Sequence, residues 1–300
     1  ARCADDVTRG LQARAPAPDR LEFVELRDRV QLAQAGLGVR DGVERQRRVV
    51  LRVVVPIRLA RVFFLEMRRV DEDHMGKVVG PGRAEHTTLE ALRDQTATIN
   101  RALADQPLFD FVYQVLGVAF ALVPVALALY FLWQPGVNAL RRIGLDFSRF
   151  GRDTGAGVLL AFIIGVPGIG LYLLGHTLGI TVTIVPTALG QYWWTIPVLI
   201  LVAARAALEE EVIVVGFLFT KLRELGWKPW LIIGTSAVLR GSYHLYQGIG
   251  GFVGNLIMGL VFGWAYRRWG RIMPLVVAHF ILDAVSFVGF ALVGKSLQLP

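Results

Sequence analysis

Apolar positions in this chain fall in long blocks, not at the spacing of a surface helix or a half-buried strand. Six blocks run from Phe111 to Trp133, Val158 to Leu178, Tyr192 to Phe219, Trp230 to Tyr246, Phe252 to Tyr266 and Ile272 to Val293. Each is near the ~20 apolar residues that a membrane-crossing helix needs. Pro124 falls inside the first block as a tolerated kink. The pattern predicts an all-α, polytopic membrane protein of about six transmembrane helices, multi-pass in the cell membrane.

The charged residues between the blocks alternate. Arg141, Arg142, Arg149 and Arg152 follow the first, Lys221, Arg223 and Lys228 the third, and Arg267, Arg268 and Arg271 the fifth. The connections after the second and fourth, Gly179–Gln191 and Gln247–Gly251, carry no charge. By the positive-inside rule the basic connections are cytoplasmic and both termini lie on the other side.

Residues 1–106 read differently. The first 76 residues hold 15 Arg and no Lys, with Ala15-Pro16-Ala17-Pro18 as a linker-like stretch and Arg45, Arg47 and Arg48 as a basic cluster. The apolar run Val49 to Leu65 is broken by Arg52, Arg58 and Arg61, so it does not span a bilayer. This Arg-rich region is expected to be disordered. One expectation is a basic tail lying on anionic lipid. The other, with Met67 and Met75 the first methionines, is that residues before Met75 are upstream sequence read from an early start. Leu89 to Ala104 has helical spacing and is expected to form a short amphipathic helix. The membrane domain is then 107–300.

Composition agrees with this division. The chain is 54% hydrophobic and 19% charged with net charge +8, and its mean hydropathy is +0.50. The positive charge sits in short stretches between apolar runs, a placement that suits membrane orientation and not nucleic-acid binding. Cys3 is the one cysteine, which excludes a disulfide framework and a Cys-based zinc site. Gly250/Gly254 and Gly259/Gly263 are at GxxxG spacing, which favours close helix packing over a phosphate loop.

Polar residues interrupt the blocks at a few places. Glu209, Glu210 and Glu211 are consecutive in the third. One charge near a bilayer centre costs at least ~2.5–3.5 kcal/mol on insertion scales, so the three acids face a polar interior. Arg205 and Glu209, Arg240 and His244, and His279 and Asp283 are each four apart, hence on one helix face. At ~1.5 Å per residue, Glu210, His279 and His244 lie roughly 16, 10 and 20 Å from the cytoplasmic ends, which allows one shared intramembrane cavity. His176 has no partner at helical spacing and reads as interfacial.

Hydrolysis suits these groups. Adjacent carboxylates in a low-dielectric cavity do not both ionise readily, which equips one as a base for water, while imidazoles protonate a leaving amine or stabilise an oxyanion. Two His with an acid, as in Glu210, His244 and His279, equally suit zinc. No HExxH occurs, so the metal reading rests on proximity alone and no cofactor is required. The rival reading is a proton-coupled transporter, or a non-catalytic scaffold, built on the same Glu/His/Asp cluster.

Glu210-Glu211-Val212-Ile213-Val214-Val215-Gly216 resembles the EExxxRG motif of the CAAX prenyl protease and bacteriocin-processing (CPBP) family of intramembrane proteases. Arg240-Gly-Ser-Tyr-His244 resembles its FxxxH motif, and His279-Phe-Ile-Leu-Asp283 its HxxxN/D motif. Together they place a protease-like core at about 150–292. The resemblance implies an all-helical fold with a conical cavity open to the cytoplasmic side and the bilayer, and an intramembrane endopeptidase acting on a peptide or lipidated protein. It further implies Glu210 as the base for water with Glu211 in support, His244 and His279 at the water and oxyanion, and Asp283 where the family has an oxyanion-stabilising Asn. Two positions depart from it: Val215 stands for the motif Arg, and Arg240 for the motif Phe. The expectation is that Arg240 supplies the missing guanidinium, pairing with Glu211 across the cavity, and that Val215→Arg partly rescues its loss.

Overall fold

The computed structural model describes residues 96–294. The Arg-rich tail, its basic cluster, the broken apolar run and the two methionines lie outside these residues.

The chain enters as β1 (Thr96–Asn100), then α1 (Pro107–Ala121), α2 (Val123–Leu132) and the short α3 (Ala139–Ile143). Next come α4 (Phe150–Thr177), β2 (Thr183–Thr187) and α5 (Thr195–Glu210). A π-helical segment, Glu211–Phe217, carries α5 directly into α6 (Leu218–Glu224). The last three helices are α7 (Pro229–Tyr243), α8 (Gly248–Trp269) and α9 (Met273–Gly289). Apart from the two strands the fold is helical, as the apolar blocks predict.

Several boundaries follow from local chemistry. The break between α1 and α2 falls at Leu122, just before Pro124, because proline removes a backbone donor from the helix interior. Pro229 opens α7, where its missing N–H is not needed. Asn138 caps α3, its side-chain oxygen accepting from the amides of Leu140 and Arg141. Gly270 closes α8 in the left-handed conformation.

Four stretches are long and apolar enough to cross a membrane: Pro107–Leu132, Phe147–Thr177, Leu245–Trp269 and Met273–Val293. The acid-bearing run from Thr195 and the 15-residue α7 are not among them, the first for its charge and the second for its length. Large apolar side chains such as Phe120, Phe162 and Trp193 stand exposed on the outside of the bundle. Surface of that kind belongs against lipid.

The helix predicted over Leu89–Ala104 is not formed in its described part. Residues 96–100 make a strand paired in parallel with β2, Thr96 facing Thr183 and Asn100 facing Thr187. The run TATIN alternates exposed and half-buried positions, a period-2 pattern with β-branched residues that the helical reading of the longer stretch hid. The two strands can meet because α1–α2 and α4 run to the far end of the bundle and back between them.

The connections sort into two ends. At one, Arg142 pairs with Glu224 at 2.7 Å, and Lys221 reaches the same carboxylate at 3.1 Å. Arg271 holds Asp153 at 2.7 Å and Asp146 at 3.1 Å, clamping the start of α9 to that of α4. The hydrogen bonds from Arg271 and Ser148 hold the Asp146 carboxyl well below the usual carboxylate range. At the other end lie the β1–β2 ribbon and the loop before α8, joined where Gly250 donates its amide to the carbonyl of Ile180. All three basic connections thus gather at one end and the two uncharged ones at the other.

Between the ends, α7 and α8 approach closely. A Cβ on Gly259 would sit 2.7 Å from the Ala237 backbone, and one on Gly241 would sit 2.9 Å from Phe252. This is the packing use of glycine that the GxxxG spacing suggests.

Candidate active site

The three polar pairs read from helical spacing converge on the π-helical segment. Its wider turn is a rare form that is frequent at functional sites. Two of its carbonyls are met by side chains: Ser236 donates to Val214 at 3.0 Å and Thr220 to Gly216 at 2.7 Å. The segment is therefore a fixed feature of the helix and not a frayed turn.

Glu210 and Glu211, the last residue of α5 and the first of the π turn, face different surroundings. Glu211 is 0% exposed. Its Oε1 receives Arg240 Nη2 at 2.5 Å and His279 Nδ1 at 2.9 Å. Arg240 is itself fully buried, with its guanidinium over the Phe262 ring. A carboxylate this deep persists only because it is paired and hydrogen-bonded.

The Glu210 side chain keeps 20% of its exposure and lines a cavity of about 380 Å³. Tyr243 donates its hydroxyl to Glu210 Oε2 at 2.7 Å. His244 Nε2 lies 3.9 Å from Oε1, and Arg240 Nη2 lies 3.7 Å from Oε2. His244 Nδ1 is 3.0 Å from the carbonyl of Arg240. A carbonyl only accepts, so Nδ1 carries the proton and a neutral His244 presents its Nε2 lone pair toward Glu210. By the same reasoning His279 donates from Nδ1 to Glu211, and its Nε2 turns toward Asp283 Oδ2 at 3.5 Å.

The remaining polar residues find local roles. Arg205 pairs with Glu209 at 2.8 Å on the cavity wall. His176, at the end of α4, lies 3.5 Å from the Thr183 hydroxyl and packs on Tyr172, away from the cavity.

Two sequence expectations meet correction. Val215 is buried and belongs to the apolar cluster that holds Ile143, Leu222 and Leu275, and it does not line the cavity. An arginine there would bury a second guanidinium among apolar side chains, so the rescue expected of Val215→Arg is withdrawn. The other concerns a metal. The ligand atoms that come together, within 4.8 Å of one another, are those of Glu210, Glu211 and His279. His244 is not in that group. Of the Glu211 oxygens, Oε1 already accepts from both Arg240 and His279, while Oε2 is buried without a hydrogen-bond partner among the described residues. A fixed guanidinium 3.7 Å from Glu210 would repel a divalent ion.

Tyr243 escaped the sequence reading. It lies three residues after Arg240 and next to His244, but a tyrosine in an apolar run carries no signal until its partner is known.

The cavity walls are built from α5, the end of α7, the first half of α8 and α9, and from Ile99, Asn100 and Ile184 of the ribbon. Comparison with known proteins touches the same helices. No curated protein matches the chain, and no solved structure matches it. Residues 192–285, the stretch holding Glu210, Glu211, Arg240, His244, His279 and Asp283, match the family described as type II CAAX prenyl endopeptidase Rce1-like. Over that stretch, about a third of the chain, this protein is similar to an endopeptidase family.

Proposed function

We propose that this protein is a multi-pass endopeptidase of the cell membrane that hydrolyses a peptide bond at an intramembrane site, with Glu210 as the base for water. Six helices, counting the acid-bearing run and α7 as spans, make up the membrane domain, four of them wall the site, and the working part lies within about 150–292. The observation that carries the reading is the placement of Glu210. It faces the cavity beside Tyr243 and His244, while its neighbour Glu211 is held in a closed ion pair.

The chemistry follows from that placement. Glu210 Oε1 and His244 Nε2 stand 3.9 Å apart, a separation that one water molecule can bridge with a hydrogen bond to each. Tyr243, fixed on the other carboxylate oxygen, holds Glu210 in the orientation for proton removal. Glu210 takes one proton as the water oxygen attacks the carbonyl carbon, and returns it to the departing nitrogen as the C–N bond breaks. Protonated on both nitrogens, His279 keeps its Nδ1–H on Glu211 and turns to the developing oxyanion the Nε2–H that otherwise faces Asp283. Asp283, at the position of the family's Asn, cannot donate as a carboxylate and instead orients His279 from its far side. Arg240 and Glu211 act through these groups, as positioning residues. No zinc ion is needed for any of these steps, and the guanidinium of Arg240 beside Glu210 opposes one.

Support for the reaction class comes from the endopeptidase family that residues 192–285 match and from the buried Glu210, Glu211 and His279 cluster. The substrate class is a peptide or lipidated protein at the bilayer. Reconstitution with a membrane-peptide library tests the reading: wild type cleaves, Glu210→Ala does not, and a chelator leaves cleavage unchanged. Proton flux through liposomes without Glu210-dependent cleavage would favour the transporter reading instead.

A further inference from the structure

Glu209, the first of the three consecutive acids, has no part in the steps above, and neither has Arg205. Both line the cavity beside Glu210. Glu209 is only 8% exposed, and its Oε2 accepts from Arg205 Nη1 at 2.8 Å. The Arg205 side chain keeps 28% of its exposure. A guanidinium carries five N–H donors. Among the described residues Glu209 is the one hydrogen-bond partner of Arg205, so most of those donors are unspent. A buried acid here holds an accessible cation in place, unlike Glu211 and Arg240, which are both sealed.

The neutral donors of the wall are largely committed. Tyr243 donates to Glu210, and His244 to the carbonyl of Arg240. The side-chain amides of Asn100, Gln247 and Asn255 donate to the Pro186 carbonyl, the Tyr246 hydroxyl and the Gly251 carbonyl. Val202, Ala206, Ile213, Met258 and Leu282 make much of the remaining wall apolar. A peptide entering such a site gives up the water on its amide oxygens, and an oxygen left without a partner there is costly. Arg205 is the charged donor left to meet one.

Charge decides which kind of oxygen it takes. Glu209, Glu210 and Asp283 line the cavity, against Arg205 as its one Arg or Lys among the described residues. A substrate carboxylate would meet three like charges and a cation that is already paired, whereas a neutral carbonyl meets no such repulsion. Arg205 lies about 7.5 Å along α5 from Glu210 at ~1.5 Å per residue. That is roughly two residues of an extended peptide at ~3.3 Å each.

We propose that Arg205 binds substrate, donating to a backbone carbonyl within about two residues of the scissile bond, and that Glu209 is the positioning residue that orients it. Placing the contact beside a scissile bond rests on the hydrolytic reading above; the hydrogen bond to a peptide carbonyl does not.

Peptide binding to the full chain in detergent tests it, on a Glu210→Gln background so that nothing is cleaved. The probe is a capped, uncharged hexapeptide of Leu and Ala carrying a fluorophore, and displaceable binding is measured. Its amides are replaced one at a time by an (E)-alkene, which keeps the shape and removes the oxygen. One replacement should weaken binding about tenfold to a hundredfold, as expected for one hydrogen bond to a charged group. With Arg205→Ala the parent peptide should bind more weakly by a similar factor, and the same replacement should cost nothing further. Glu209→Gln should shrink that penalty, which a merely structural role would leave in place. If Arg205→Ala fails to accumulate, Arg205→Leu with Glu209→Leu removes both charges of the pair and should give the same result. No binding of the parent peptide, binding unchanged by Arg205→Ala, or alkene penalties that persist in Arg205→Ala overturns the proposal. So does a preference for a free C-terminal carboxylate over its amide that vanishes with Arg205→Ala. Arg205-dependent binding without Glu210-dependent cleavage by the wild type contradicts the hydrolytic reading alone. Glu210-dependent cleavage with a KM unchanged by Arg205→Ala contradicts the carbonyl contact alone.

Discussion

Glu210 and Glu211 are adjacent in the chain, yet they belong to two regions of the molecule. On the closed side, Glu211, Arg240 and His279 form a cluster sealed by Phe262 and the apolar packing below it. On the cavity side, Glu210, Tyr243 and His244 share a partly open face. Burial and partners assign the tasks. Glu211, held by a guanidinium and an imidazole and fully buried, is sealed away from the cavity face where water would react. Glu210, which accepts a single tyrosine hydroxyl, keeps an oxygen free for chemistry, with the positive charge of Arg240 at second remove. The closed cluster thus serves as the foundation for the open one, with Arg240 linking the two through its contacts to both acids.

Breaking the closed side should have the largest effect. Arg240→Ala leaves Glu211 buried without its cation, and loss of one partner of a buried pair typically costs about 3–5 kcal/mol. A large fall in the melting temperature in detergent, together with poor accumulation, is expected. Replacing both partners by apolar residues, Glu211→Leu with Arg240→Met, should recover much of that stability and still leave the protein inactive. Val215→Arg belongs to the same class: it buries an unpaired charge in an apolar cluster and should lower the melting temperature without restoring Arg240→Ala.

On the open side the losses should be smaller and confined to turnover. Tyr243→Phe removes the hydrogen bond that orients Glu210 on the partly open face of the cavity. Turnover should fall tenfold to a hundredfold while the melting curve stays in place. A coincident drop in stability would move Tyr243 to the closed side of the comparison.

The smallest effect lies far from both regions. Arg271 holds the folded Asp146 carboxyl below its ordinary range, so the contact contributes above the unfolded value, near 3.9, and is lost as pH falls through the folded one. Asp146→Asn should change stability at neutral pH by less than about 1 kcal/mol, since the pair is surface-accessible. It should also flatten the acid side of the melting-temperature profile.

Much of this arrangement could be read from residues alone. The pairs at i,i+4 follow from helix geometry, and so does the alternation of charged and uncharged connections. The contact between Arg240 and Glu211 was accessible too, because a fully buried acid needs a cation and only a few were available. The π turn was not legible: wider turns leave no mark in the apolar pattern, and without it Val215 looks interchangeable with an arginine facing the acids. The strand at Thr96–Asn100 pairs with residues 183–187, a partner far along the chain that no local pattern names. Tyr243 is meaningful only through Glu210, for the same reason.

The central claim is that one of two adjacent acids does the chemistry and the other holds the site together. It is tested most directly by measuring turnover and thermal stability on the same reconstituted preparations of Glu210→Gln and Glu211→Gln. The account predicts that Glu210→Gln melts with wild type and loses cleavage by about two to four orders of magnitude, whereas Glu211→Gln melts far lower. Cleavage that survives Glu210→Gln in a folded protein, or a Glu211→Gln protein as stable as wild type, would contradict it.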